Sequence, residues 1–427
     1  MKKIFLPVMI FAAVSFSQSL LAVNYPTGLS YPTSTSSARM AGTGAAFSEP
    51  YLVSLLNPGN LGSIRQSVYT LSANWGYTRI REKNEHADFS NFSPSFIGFA
   101  FPIGKAGTIG ASFKQNSTNS YSYRSNAWLK NSVFINSGLD SGFNFIDSIK
   151  EIKTFQNSNA FSSWEFGWGI KLLKKISIGA SYQIGYYKNI INRSDALENN
   201  KVYSGFDSLY YSQTNSALRG GIIGQFGKLE VGVSATYQII ADLNSHRAIR
   251  RLSMSPNGGY NSVLIDKSAV FDKKYKLYLP PSGIIGATWT FSDKIKTSMD
   301  ASMVFWKEYW TEAPLLAYPE GALRNTFSIS SGTQFIPQPN LLSSHYFQKV
   351  RYSGGISYRQ LPIKGDWEIS GSAGAGFPLG KSGILDFSVE TGRRQSKIEK
   401  DIHEQFVRIN FGMSGGQQWK KTSSSVY

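Results

Sequence analysis

From about residue 66 onward the chain repeats one pattern, an apolar side chain at every second position with a polar residue or glycine between. Ile176, Ile178, Ala180, Tyr182, Ile184 and Tyr186 share one face, and Ser177, Gly179, Ser181, Gln183 and Gly185 share the other. Leu229, Val231, Val233, Ala235, Tyr237 and Ile239 likewise oppose Glu230, Gly232, Ser234, Thr236 and Gln238. Near the end, Val407, Ile409, Phe411 and Met413 oppose Arg408, Asn410 and Gly412. Period two is the repeat of a β-strand, and spans near ten residues suit a strand with lipid on one side and water or a plug on the other. Strands are expected near 66–80, 92–103, 107–125, 159–173, 175–191, 208–226, 228–241, 275–291, 294–310, 323–337, 347–361, 366–378, 383–394 and 404–414, about 14 in all. A soluble sandwich or propeller alternates in the same way, so the choice between them rests on the rest of the chain.

Turn lengths and the leader favour a membrane barrel. Phe101–Gly107 and Phe377–Gly383 are near copies of one tight reversal, and Lys174–Lys175, Gly227–Lys228 and Asp293–Lys294 make others. Between these lie longer polar connections at 126–158, 192–207 and 242–274. Short turns alternating with long loops, and an even strand number, match a barrel entered and left from one side. The chain opens with Lys2 and Lys3 before an apolar stretch, Ile4–Phe16, which is too short to span a bilayer as a helix and reads as a secretory signal peptide cleaved after Ala22. The expected organisation is a signal peptide at 1–22, an N-terminal plug at 23–65, a barrel at 66–414 and a periplasmic tail at 415–427.

Composition narrows the chemistry. There is no cysteine, hence no disulfide and no lipoprotein anchor, and the formal net charge is +17. Lysines placed at turns and loop rims suit anionic headgroups of outer-membrane lipids and lipopolysaccharide; no arginine or lysine cluster joins a nucleic-acid reading module. His86, His246, His345 and His403 are far apart, with no helical metal-ligand spacing. Neither an enzyme, a metal nor a cofactor is expected. A monomeric barrel in a Gram-negative-type outer membrane is.

Ahead of the strands lies SARMAGTGAAFSEPYLVSLLNPGNLGS, residues 37–63, where small residues precede an apolar run that ends on Asn57-Pro58-Gly59. It is too short to fold alone, and something around it must bury it. The order Ser37, Arg39, Gly42, Gly44, Ala45, Phe47, Asn57, Pro58, with Gly59 in the family's alanine place, resembles the N-terminal hatch of FadL/TodX-type outer-membrane transporters of hydrophobic compounds. A related hatch occurs in the outer-membrane shuttle of type IX secretion. Leu277–Gly286, LYLPPSGIIG, resembles a strand start common in the same family.

The resemblance implies an all-β, 14-stranded antiparallel transmembrane barrel with a hatch in its lumen, diffusive uptake of long-chain fatty acids or other hydrophobic molecules, and release when the hatch shifts. It also implies a kinked third strand that opens the wall sideways. Here Lys114–Ser120 is the matching stretch, because the outward series Ile109, Ala111, Phe113 continues as the polar residues Gln115, Ser117 and Asn119. Either these residues and Lys114 form a lateral window, or the strand has already left the membrane. By alternation Arg351, Arg359 and Arg408 point inward, to hold the hatch or to meet a ligand carboxylate. Two other classes stay open: a secretion-associated shuttle or anchor that binds exported proteins, and a plugged structural barrel.

Overall fold

The computed structural model describes residues 34–417 except 48, 50, 83–84, 136–142, 198–203, 255–261, 315, 339–344, 381 and 397–401. The expected leader, the start of the hatch before Ser34 and the tail beyond Gln417 lie outside the described residues.

Seventeen segments form one antiparallel sheet. They are β1 (Ser67–Glu82), β2 (Glu85–Pro102), β3 (Thr108–Ile135), β4 (Phe143–Leu173), β5 (Ile176–Leu197), β6 (Ser204–Phe226), β7 (Leu229–Ile239), β8 (Ala241–Met254) and β9 (Ser262–Tyr278). There follow β10 (Ser282–Ser292), β11 (Ile295–Val304), β12 (Trp310–Thr311), β13 (Thr326–Phe335), β14 (Arg351–Gln360), β15 (Trp367–Leu379), β16 (Gly383–Gln395) and β17 (Ile402–Gln417). β1 pairs with β17 from Ser67↔Gln417 to Glu82↔Ile402, which closes the barrel. Three staves are broken in two: β7/β8 at Ile240, β9/β10 at Leu279–Pro281 and β11/β12 at Phe305–Tyr309. Seventeen segments therefore make the 14 staves of a closed barrel. Pro280 and Pro281 explain the middle break, because proline cannot donate to a ladder. The breaks lie side by side, since Ala241 pairs with Leu277 and Thr236 with Ser282, while Val304 pairs with Ser282 and Trp310 with Tyr278.

The pleat sorts side chains as the alternation requires. Trp75, Trp164, Phe166, Trp168, Tyr182, Ile184, Tyr186, Leu218, Ile222, Phe387 and Phe411 stand exposed on the outer wall, while Thr70, Ser72, Ser163, Ser181, Ser234, Ser298 and Ser388 are buried inside. An apolar, aromatic-rich exterior around a polar interior is a transmembrane barrel turned inside out relative to a soluble domain. Among the described residues no helix is long and apolar enough to cross a membrane. The short turns, the start of β1 and the end of β17 share one rim, the periplasmic one by the usual barrel asymmetry.

The polar stretches expected as long connections are mostly strand. β3 pairs with β4 as far as Ile135↔Phe143, β5 with β6 as far as Ala196↔Ser204, and β8 with β9 along most of their length. Above the bilayer the outer face has no need to be apolar, so the ladder continues where the hydrophobic alternation stops. The last strand likewise runs to Gln417 rather than ending at Ser414.

Candidate functional site

Residues 34–64 occupy the periplasmic half of the lumen. Ser34 caps one helical turn, Thr35–Ala38, by accepting from the Ser37 N–H at 3.2 Å, and the Ser37 hydroxyl donates to the Thr43 carbonyl at 2.8 Å. The chain then reverses at Ala41 and Gly42, whose φ values are 56° and 89°. Beyond the reversal one carboxylate oxygen of Asp300, on β11, accepts from the backbone N–H groups of Gly44 at 2.7 Å and Ala45 at 2.9 Å. Phe47 is buried. The Asn57 amide donates to the Ala45 carbonyl at 2.9 Å and to the Ile222 carbonyl of β6 at 3.1 Å, and its oxygen accepts from Gly59 at 3.0 Å. One side chain thus ties two hatch segments to the wall. Pro58 opens a 3-10 turn, Pro58–Ser63, at the position where its missing N–H costs nothing. The wall makes room at inward glycines: a Cβ on Gly332 would lie 2.6 Å from the Met40 carbonyl, and one on Gly169 2.7 Å from that of Pro58.

Charge fixes the same segment. Arg39 is wholly buried, 3.2 Å from Glu49 and 3.4 Å from Asp386 of β16, and it donates to the Arg351 carbonyl and to Ser353 of β14. Glu49 also meets the Arg351 guanidinium at 2.9 Å. Burial would raise the Glu49 carboxyl, but Arg351 and Arg39 outweigh it and hold it below its ordinary value. Buried ions stay charged only when paired this closely.

Above the hatch lies a cavity of about 320 Å³. Its floor includes Ser37, Ala41, Gly42 and Leu56; Lys114, Arg219 and Arg359 bring positive charge, and Met303, Val304, Trp306 and Leu361 bring apolar surface. Arg219 is anchored by Glu165 at 3.0 Å and donates to the Leu55 carbonyl of the hatch at 2.7 Å. Trp306, in the turn Trp306–Glu308, and Leu361–Pro362 complete the lining.

At Lys114 the wall itself changes. β2 and β3 pair from Pro102↔Thr108 only as far as Phe96↔Lys114. Beyond that point β2 stays with β1 up to Glu82↔Glu85, and β3 stays with β4, so the two hairpins part along a seam. On the β2 side the parting coincides with a bulge at Ser95 and with Pro94, and on the β3 side with a bulge at Asn116. Phe92, beyond the parting point, is 55% exposed and faces outward with its partner Trp75, so the seam begins within the apolar belt.

The sequence-predicted residues thus fall into separate places. Ser37, Arg39, Gly42, Gly44, Phe47, Asn57, Pro58 and Gly59 all lie in the hatch. Arg351 meets the hatch through Glu49, Arg359 lines the cavity, and Arg408 pairs with Glu390 at 3.0 Å and lies over the Phe406 ring. Lys114 sits at the seam's end and Gln115 opposite Ser162. The reading of Ser117 as outward-facing is corrected. The extra residue at Asn116 reverses the parity, placing Ser117, buried, opposite the lumen residue Phe161. The backbone of Asn119 pairs with Asn159, but its side chain lies outside the described residues. Glu49 and Arg219 were missed; a carboxylate ten residues after the hatch's arginine, Arg39, and an arginine in the outward-and-inward alternation of β6, were the available signals. Pro94 in the middle of a strand was the signal for the seam.

A profile of the family described as BamG matches residues 1–423. The chain belongs to the BamG family. That family is named apart from the FadL/TodX transporters and from the type IX shuttle, so the FadL/TodX likeness of this BamG-family chain is one of fold. The toluene transporter TbuX of Ralstonia pickettii superposes with a TM-score of 0.59 at 15% identity, over 90% of this chain and 98% of that one. A FadL homologue of Pseudomonas aeruginosa gives 0.61 at 12% identity, over 91% and 100%. The toluene transporter TodX of Pseudomonas putida gives 0.52 at 13% identity, over 92% and 99%. No curated protein matches the BamG-family chain by sequence.

Proposed function

We propose that this barrel, set in the outer membrane, is a conduit rather than an enzyme, passing a hydrophobic molecule with an anionic head between its lumen and the bilayer. The observation that carries this reading is the double position of Lys114, which lines the cavity and is also the last β3 residue paired to β2. A molecule in the cavity stands at the mouth of the seam. The chemistry of the lining supports an amphiphile: Lys114, Arg219 and Arg359 suit a carboxylate, and Met303, Val304, Trp306 and Leu361 suit a chain. Burying roughly 200 Å² of chain at about 25 cal/mol per Å² gives on the order of 5 kcal/mol, ample for capture without an energy source. Long-chain fatty acids fit that description. The hatch floors the cavity through Ser37, Ala41 and Gly42, so movement of the hatch would gate it.

A second reading, a plugged barrel that anchors or hands on exported proteins, is favoured by the fully buried Arg39 network and by the long β3–β4 extension beyond the membrane. Native mass spectrometry with lipid extraction, on protein purified from its own outer membrane in mild detergent, separates the two. A stoichiometric amphiphile that is lost in Lys114→Ala together with Arg359→Ala supports the conduit. A ligand-free barrel that copurifies with exported protein supports the anchor.

A further inference from the structure

The short turns on the periplasmic rim share a feature that neither passage nor plugging requires. Ile103–Gly107 carries Lys105, the β4–β5 turn is Lys174–Lys175, the β6–β7 turn is Gly227–Lys228 and the β10–β11 turn is Asp293–Lys294. All five of these lysines are exposed, as is Arg65 where the chain enters β1. Asp293 is the one acid in the described turns of this rim, and among the described residues none of the five lysines is in an ion pair.

The opposite end of the barrel is built differently. There three cations are answered by acids: Arg79 by Asp88 at 2.8 Å, Arg247 by Asp207 at 2.8 Å, and Lys276 by Asp242. Among the described residues the extracellular end is therefore of mixed sign, with these three cations paired to acids. The periplasmic end is positive and unanswered.

Depth says what would answer it. Leu172 and Leu173 immediately precede Lys174, Phe226 stands two residues before Lys228, Phe291 three before Lys294 and Ile103 two before Lys105, and all of these apolar side chains are exposed. The Trp168 indole donates to the Ala106 carbonyl at 2.7 Å, which pins the Lys105 turn to the outer wall, and the Lys228 ammonium donates to the Phe291 carbonyl at 3.3 Å. An ammonium within a few ångströms of the last lipid-facing side chain stands at the level of phosphate groups, with its stem along the apolar surface. A soluble acidic partner would be met by charges projecting away from the belt, not lying at its margin.

We propose that the periplasmic rim is a binding surface for anionic phospholipid headgroups of the inner leaflet, held by Lys105, Lys174, Lys175, Lys228 and Lys294. The test offers the purified full-length protein equal amounts of phosphatidylglycerol and phosphatidylethanolamine in mild detergent, read by native mass spectrometry. Wild type is expected to retain phosphatidylglycerol in about tenfold excess, falling with added salt. The variant K105Q/K174Q/K175Q/K228Q/K294Q should lose that excess, while K273Q/K274Q/K276Q, at the extracellular end, should keep it. Heat-dependent gel mobility checks that both variants are folded; should the rim variant fail it, the salt titration of wild type decides alone. No excess in wild type, an excess insensitive to salt, or equal loss in both variants overturns the proposal. So does displacement of phosphatidylglycerol by soluble polyglutamate at equal charge, which would assign the rim to an acidic protein instead.

Discussion

Arg39 has no exposed surface and touches two carboxylates that have few other partners at that depth. Removing it leaves Glu49 and Asp386 buried with one cation fewer, a change that costs about 3–5 kcal/mol when a buried pair is broken. Arg39→Ala should therefore release the hatch while the barrel wall survives. Limited proteolysis should then cut within 34–64 at a rate wild type does not show, and a hatch equally protected in the variant would refute the assignment. Glu49 makes the same network sensitive to acid. Its carboxyl lies below the ordinary value in the folded state, so its contribution is fully present above about pH 4.3, the unfolded reference, and is lost as the pH falls through the lower folded value. Hydrogen exchange of the hatch amides beside Glu49 and Arg39, after allowance for the intrinsic rate, should rise as the pH falls below about pH 4. Glu49→Gln should abolish that rise.

At the scale of elements, the seam between β2 and β3 follows from two irregularities placed opposite each other. Pro94 with the Ser95 bulge bends one strand away, and the Asn116 bulge turns the other. Restoring the ladder by Pro94→Val with deletion of Asn116 should extend pairing past Phe96↔Lys114. Amides at 115, 117 and 118 should then exchange up to about tenfold more slowly, the effect of roughly one added ladder hydrogen bond. Passage of ligand should fall with it. Strands were legible in the sequence wherever one face meets lipid and the other the lumen, as in Ile176–Tyr186, because burial imposes the alternation there. They were illegible at 126–135 and 143–158, where ladder pairing persists although the hydrophobic alternation has stopped. Side-chain direction past Asn116 was illegible for a different reason: a bulge is set by the partner strand, and a single inserted residue leaves the local composition unchanged. The hatch could be read as a unit from its small residues and Asn57-Pro58, whereas its lock to Asp300 and Asp386 depends on residues more than two hundred positions away.

For the whole molecule, the lower half of the lumen is occupied by a segment that belongs to the chain rather than to the wall. Deleting residues 34–64 should leave a barrel that still closes through β1 and β17, because that pairing runs the full length of both strands. In planar bilayers the truncated barrel should conduct, and wild type should stay near baseline; equal conductance would mean that the hatch is not the barrier. The inner wall left behind is serine-, threonine- and glycine-rich, so the opened pore should pass hydrated ions without strong preference for size below its diameter.

The three broken staves bear on stiffness. Hydrogen bonds running unbroken around a cylinder resist any change in its cross-section, as the staves of a cask do under their hoops. This cylinder lacks a continuous hoop in its upper storey, since the ladder is interrupted at Ile240, Leu279–Pro281 and Phe305–Tyr309 and is unzipped between β2 and β3 on another part of the circumference. Two soft lines in one wall let a circle flatten to an oval. Squeezing by the surrounding membrane would thus change the width of the upper chamber, while the hatch-filled lower half keeps its shape.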